Sequence, residues 1–149
     1  MSLSGRVQDS IIADGDFLKI GDSGIVSVGR LPLDAPYDGT DPRAAFPENI
    51  TIERCHFGQF GVFGKQTSAL FIAVSKGIRF NDNYLHDGPR AGININDGFG
   101  GDHVLARNVI FNQLLESGDH GPVNTWSRTA YRQPGAAAST PFIQESNRE

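Results

Sequence analysis

The sequence predicts an all-β chain wound as a right-handed parallel β-helix of about three to five rungs, and three observations predict it. First, an apolar phrase recurs: Ile52, Cys55 and Phe57; then Phe80, Asn83 and Leu85; then Leu105, Asn108 and Ile110. The interval from Ile52 to Phe80 is nearly the same as that from Phe80 to Leu105. Second, the phrases "NITIERCHF", "GIRFNDNYLHD" and "HVLARNVIFN" alternate apolar and polar residues, the period of a strand with one buried face. Third, each phrase is followed by a Gly-rich bend and a second short strand, in "GVFGKQTSALFIAV", "AGININ" and "PVNTW".

A strand, a sharp bend and another strand at a near-constant interval describe one rung, which buries its inward side chains only by stacking on its neighbours. A sandwich with regular turns needs no such fixed period. Asn suits the bend because it tolerates the left-handed backbone region and its amide can hydrogen-bond the next rung. Asn83 and Asn108 are therefore expected to form a short ladder, with Cys55 in the equivalent place one rung earlier.

Around this repeat the periodicity fades. Residues 1–48 are expected to hold one or two irregular N-terminal rungs, followed by a Pro-rich surface loop, "LPLDAPYDGTDPRAAFPE". Residues 49–132 carry the β-helix rungs. Residues 133–149, "QPGAAASTPFIQESNRE", read as a poorly structured tail or a truncated next rung.

Composition narrows the function classes. With 18 Gly and 8 Pro in 149 residues, long helices are excluded. The formal net charge of -4 offers no electrostatic footprint for nucleic acid. No run approaches the roughly 18 apolar residues of a membrane span. The opening "MSLSGRVQDS" lacks the basic and apolar blocks of a signal peptide. The one cysteine, Cys55, cannot form an internal disulfide and reads as a small core residue.

The phrases "GVFGKQTSA", "GPRAGININDGFGG" and "SGDHGPVNTWSR" resemble a group of right-handed β-helix proteins of the pectate-lyase-like superfamily, over roughly residues 48–132. These occur in large extracellular proteins of algae and bacteria, whose helix continues beyond the point where this chain stops. The resemblance implies a truncated chain, an extracellular or cell-surface address for the full-length protein, and a carbohydrate-facing role. Most characterised members of the superfamily are polysaccharide lyases, glycoside hydrolases, epimerases or esterases. Which of these reactions applies does not follow from the fold.

Polar residues concentrate in "HDGPRAGININDG" and "LLESGDHGPVNTWSR". The interval from Asp97 to Asp119, and the slightly shorter one from Asp97 to Glu116, are both close to one rung. Parallel strands on neighbouring rungs lie about 4.8 Å apart. That spacing can hold two carboxyl groups about 5 to 9 Å from one another, as glycosidases require. Asp97, Asp119, His120 and Glu116 are therefore the catalytic candidates. Arg90, Asn96, Trp126, Arg128 and His86 are the candidate substrate-binding residues. Each also has a structural reading: Asp97 and Asp119 can cap turns, Glu116 can be a solvated rim residue, and His86 and His120 can be held within the protein. Arg90 can pair internally, Asn94 and Asn96 can belong to a ladder, and Trp126 can fill core.

The expected function is a carbohydrate-active protein that hydrolyses polysaccharide through a carboxyl pair on adjacent rungs. One alternative is a lyase acting on uronate polymers, with His120 or His86 as base and Arg90 or Arg128 as the neutralising cation. The other is a non-catalytic carbohydrate-binding or adhesion module. The expected partner is a polysaccharide or oligosaccharide, with no nucleic acid, no membrane span and a monomeric full-length protein. No cofactor is expected. The scattered acids give a Ca²⁺ site little support.

Overall fold

The computed structural model describes residues 1–31, 44–96 and 100–126, together with the backbone of 143–145. Its strands follow one another in a fixed three-part order. Coil 1 comprises β1 (Ser2–Ser4), β2 (Gln8–Ala13) and β3 (Asp16–Leu18). Coil 2 comprises β4 (Ile25–Val28), β5 (Glu48–Glu53) and β6 (His56–Gly58). Coil 3 comprises β7 (Leu70–Ala73), β8 (Arg79–Asn81) and β9 (Tyr84–His86). Coil 4 comprises β10 (Ile93–Ile95), β11 (His103–Ala106) and β12 (Val109–Phe111), after which β13 (Val123–Thr125) and β14 (Ile143–Glu145) begin another turn. First, second and third strands of successive coils pair in parallel, giving sheets of five, five and four strands. The protein is a parallel β-helix, all-β among the described residues.

Register follows the recurring phrase. Ile52 pairs with Phe80 and Phe80 with Leu105 in the second sheet. Phe57 pairs with Leu85 and Leu85 with Ile110 in the third. With Ile25, Leu70 and Ile93 of the first sheet, these side chains form one continuous core. Each fully buried Leu, Ile or Phe contributes about 1.5–3 kcal/mol. Phe17 stacks on Phe57 at 4.7 Å between ring centres, continuing the core into coil 1. The N-terminal segment, expected to be irregular, is a regular three-strand coil. Its period was hidden because the interval from Phe17 to its partner Phe57 is much longer than that from Phe57 to Leu85. The connection between β4 and β5 takes up the difference. Residues 32–43 of the Pro-rich loop lie outside the described residues. Within the C-terminal segment, the β14 backbone pairs in parallel with β11.

One expectation needs correction. The recurring phrase is two strands meeting at a corner, not one strand, and the left-handed residue at that corner is not the Asn. It is the residue before: Asp14, Arg54, Asp82 and Arg107 have φ of 56°, 52°, 57° and 55° in coils 1 to 4. The reason is a division of labour. The Asn needs a geometry that aims its amide along the helix axis, while its neighbour bends the chain. The cost of positive φ in these residues is accompanied by alternating charge: Arg54 spans both carboxylate oxygens of Asp14 at 2.8 and 2.9 Å, and Arg107 those of Asp82 at 2.6 Å each. These contacts hold the Asp14 and Asp82 carboxyls below the usual range, chiefly through the hydrogen bonds from Arg54 and Arg107.

The expected ladder is present one residue on. The Oδ1 of Asn83 accepts from the Cys55 N–H at 2.9 Å, and its Nδ2 donates to the Ile52 carbonyl at 3.1 Å. Asn108 repeats this a coil later, accepting from the Asn83 N–H at 3.0 Å and donating to the Phe80 carbonyl at 2.7 Å. Cys55 is buried, and burial pushes its thiol up, against a nucleophilic role.

Loops between the third and first sheets stack in pairs. Gly61, Val62 and Phe63 donate backbone N–H groups to Asp22, Ile20 and Gly21, joining the loops of coils 2 and 1. Leu114, Leu115 and Glu116 donate to Arg90, Gly88 and Pro89 in the same order, joining the loops of coils 4 and 3.

Candidate functional site

This second loop pair carries the polar cluster singled out from the sequence. Arg90 lies in the loop of coil 3, pinned when its carbonyl accepts from the Leu114 N–H at 3.0 Å. Its side chain is 14% exposed, so the guanidinium reaches the surface with most of its length covered. Asp119, on the overlying loop, points to it: Arg90 Nη2 donates to Asp119 Oδ2 at 3.1 Å. His120 Nε2 lies 3.1 Å from the same oxygen. One carboxylate oxygen thus sits between a guanidinium and an imidazole, at a carboxylate 69% exposed. His120 adopts φ of 75°, which turns the chain sharply after Asp119.

Glu116, on the same loop, pairs at 2.8 Å with Lys65 from the loop of coil 2. Asn96 gives its backbone N–H to Ile72 at 2.8 Å, and Trp126 gives its own to Ile95 at 3.1 Å; both residues are half-buried. Asn94 belongs to a ladder, since Asn124 Nδ2 donates to Asn94 Oδ1 at 2.7 Å one coil on. Asp97 and Arg128 lie outside the described residues. The register does not carry the spacing argument for a carboxyl pair. Ile95 pairs with Thr125, so one coil at this place is clearly longer than the interval from Asp97 to Asp119.

His86 is elsewhere, on the outer face of the third sheet. There it meets three residues that sequence reasoning did not select: His56, Tyr84 and Phe111. His86 Nε2 lies 2.8 Å from His56 Nε2, and His86 Nδ1 lies 2.8 Å from Asp87 Oδ2. Hydrogen bonds from His86, and then from Asn112 at 3.1 Å, hold the Asp87 carboxyl below its usual range. Asp16 approaches His56 Nδ1 at 3.4 Å. The His86 ring stacks on Phe111 at 5.4 Å, and Tyr84 meets both imidazoles edge-on. The signal was the outward position after each core residue of the phrase, but the contact crosses from one outward column to the other.

A shallow concavity at the corner between the first and second sheets contains Asp9, Glu48, Lys76 and Asp102. Asn49 already donates to Asp9 at 2.5 Å and Lys76 lies 3.4 Å from Glu48, so these groups form a ladder along the corner. Among the described residues no group of three or more His, Cys, Asp or Glu side chains is arranged to hold a metal ion, and no helix is long and apolar enough to cross a membrane. No family model, curated protein or solved structure matches the chain.

Proposed function

We propose that the protein is an extracellular, carbohydrate-active β-helix protein that handles polysaccharide at the paired loops of coils 3 and 4. The observation that supports this reading is the convergence of Arg90 and His120 on one exposed oxygen of Asp119. A sugar chain lying across these loops meets a carboxylate with a guanidinium and an imidazole each 3.1 Å from one of its oxygens. In the hydrolytic reading, Asp119 is one member of the carboxyl pair; Asp97, or Glu116 once released from Lys65, is the other.

A second reading has its own support. Arg90 and His120 both address a carboxylate oxygen, so a uronate carboxyl can take the place now held by Asp119. His120 then stands beside the acidic sugar as a base, and Arg90 neutralises the charge that develops when the C5 proton leaves. The test is incubation of the full chain with neutral and uronate polysaccharides, following new reducing ends and ultraviolet absorbance. Reducing ends without absorbance, lost in Asp119→Asn, support hydrolysis. Unsaturated products lost in His120→Ala support elimination. Binding without cleavage that is lost in Arg90→Ala supports a binding module. Absence of both binding and cleavage across the panel overturns the carbohydrate reading.

A further inference from the structure

We propose, resting on the carbohydrate reading above, that Phe63 is a sugar-stacking residue and that the site takes a linear oligosaccharide laid parallel to the helix axis across the loops of coils 2 to 4.

Phe63 is an apolar side chain that the core does not use. At 86% it is the most exposed large hydrophobic residue among those described, and its ring takes no part in the core cluster. Its backbone is nonetheless fixed. The Phe63 and Gly64 N–H groups both donate to the Gly21 carbonyl, at 2.9 and 2.8 Å. Gly21 also gives the ring a seat, since a Cβ there would lie 2.9 Å from Phe63 Cδ2. One edge of the ring rests on the loop of coil 1 and the rest faces solvent. The negative face of an aromatic ring attracts positively polarised C–H bonds, such as those on one side of a pyranose ring.

Register brings this ring into line with the polar cluster. In one loop pair Gly61, Val62 and Phe63 donate to Asp22, Ile20 and Gly21; in the other Leu114, Leu115 and Glu116 donate to Arg90, Gly88 and Pro89. The two sets match residue for residue. Phe63 therefore occupies the place that Glu116 occupies two coils further on, a step of about 9.6 Å along the axis. Lys65 closes that step, because its Nζ donates to Glu116 Oε1 at 2.8 Å. An outward row thus runs from the Phe63 ring, through the Lys65–Glu116 pair, to Arg90, Asp119 and His120. Val62 and Leu115, both exposed, stand beside it at equivalent places.

A row of apolar surface followed by charged and hydrogen-bonding groups suits a sugar chain, whose rings have apolar faces and polar rims. A single sugar at the Arg90 cluster meets only one end of the row. A chain of several sugars meets both ends. The ring then adds affinity without touching the Arg90 cluster, so its contribution appears only once the chain is long enough to reach it.

The test is calorimetric titration of the full chain with oligosaccharides of two to six sugars, neutral (gluco-, xylo- and manno-) and uronate (galacturonate and alginate), for wild type, Phe63→Ala and Phe63→Tyr. In the series that binds, wild-type affinity should climb with length. Phe63→Ala should lose about tenfold for the hexasaccharide, roughly the worth of one aromatic contact. Phe63→Tyr, which keeps the ring, should restore most of that loss, and thermal melting checks that each variant is folded. Wild-type affinity that does not change with length, or a climb that Phe63→Ala leaves intact, overturns the proposal while the carbohydrate reading stands. No binding of any series by wild type overturns both.

Discussion

Asn83 donates a hydrogen bond from its side-chain Nδ2 to the Oδ1 of Asn108, one coil further along, at 3.1 Å. The same Oδ1 takes the Asn83 backbone N–H, so one amide group satisfies two donors of the coil beneath. This is a spine of side-chain amides running parallel to the helix axis, inside the turn between the second and third sheets.

Asn83→Ala should be among the more damaging single substitutions. It removes the acceptor of the buried Cys55 N–H and the donor to Ile52 together. The expected loss is about 3 kcal/mol, because buried groups are left unsatisfied rather than solvated. Asn108→Ala, at a half-buried position, should cost less. Denaturant midpoints of the two variants against wild type decide the matter, and equal midpoints would remove the spine from the account of stability.

Core and surface phenylalanines should separate cleanly. Phe80 is fully buried between Ile52 and Leu105, and Phe80→Ala should cost about 3–5 kcal/mol. Phe63 is 86% exposed, and Phe63→Ala should lie within about 0.5 kcal/mol of wild type. Thermal melting of both tests this.

Acid should erase a defined contribution from the corner charges. Hydrogen bonds from Arg107 and Arg54 lower the Asp82 and Asp14 carboxyls in the folded chain relative to an unfolded value of about 3.9. A lowered folded value means the stabilisation is complete above the unfolded value and disappears as pH falls through the folded one. Wild type and Asp82→Asn should therefore differ by a constant margin from neutral pH down to about pH 5, and converge below about pH 4. Both carboxyls are at the surface, so added salt should shrink the margin. A margin that grows on acidification would contradict the pairing.

Gly61 has φ of 70°, and a Cβ there would meet Pro89 and Thr67 at 2.5 Å. Gly61→Ala should destabilise by about 2 kcal/mol, combining left-handed strain with overpacking. Leu114 holds the equivalent place in the next loop pair with φ of 65°, which shows that the bend is set by the stack rather than by the glycine. Chemical denaturation of the variant checks the estimate.

The winding was legible because Ile52, Phe80 and Leu105 sit at steps close to a coil length with strand alternation on either side. The third sheet was not, since its corner uses Arg54, Asp82 and Arg107, residues that carry no turn signature in this setting. Coil 1 was obscured by the long connection that stretches the step from Phe17 to Phe57. Within the candidate site, the closeness of Asp119 and His120 followed from adjacency. Their meeting with Arg90 depends on one loop lying on another. The His56–His86 contact was invisible because it is diagonal and needs the missing side chain of Gly58. For Asp97 and Asp119 the register lends the spacing no support, because the stretch between β12 and β13 makes this coil longer than the interval between the two acids, and Asp97 itself lies outside the described residues.

The matched loop pairs give the solenoid a grain of two coils rather than one. One set of backbone bonds locks coil 1 to coil 2 and an equivalent set locks coil 3 to coil 4, whereas among the described residues the loops of coils 2 and 3 share no such set. Loop stacking along the axis is thus uneven, while the three sheets and the Asn83 bonds to Cys55 and Ile52 carry the second coil onto the third, and Lys65 and Glu116 span the same step from the outside. Hydrogen exchange should record this as slower amides at Val62, Phe63, Leu115 and Glu116, whose N–H groups are held by a neighbouring loop, than at loop amides without such a partner.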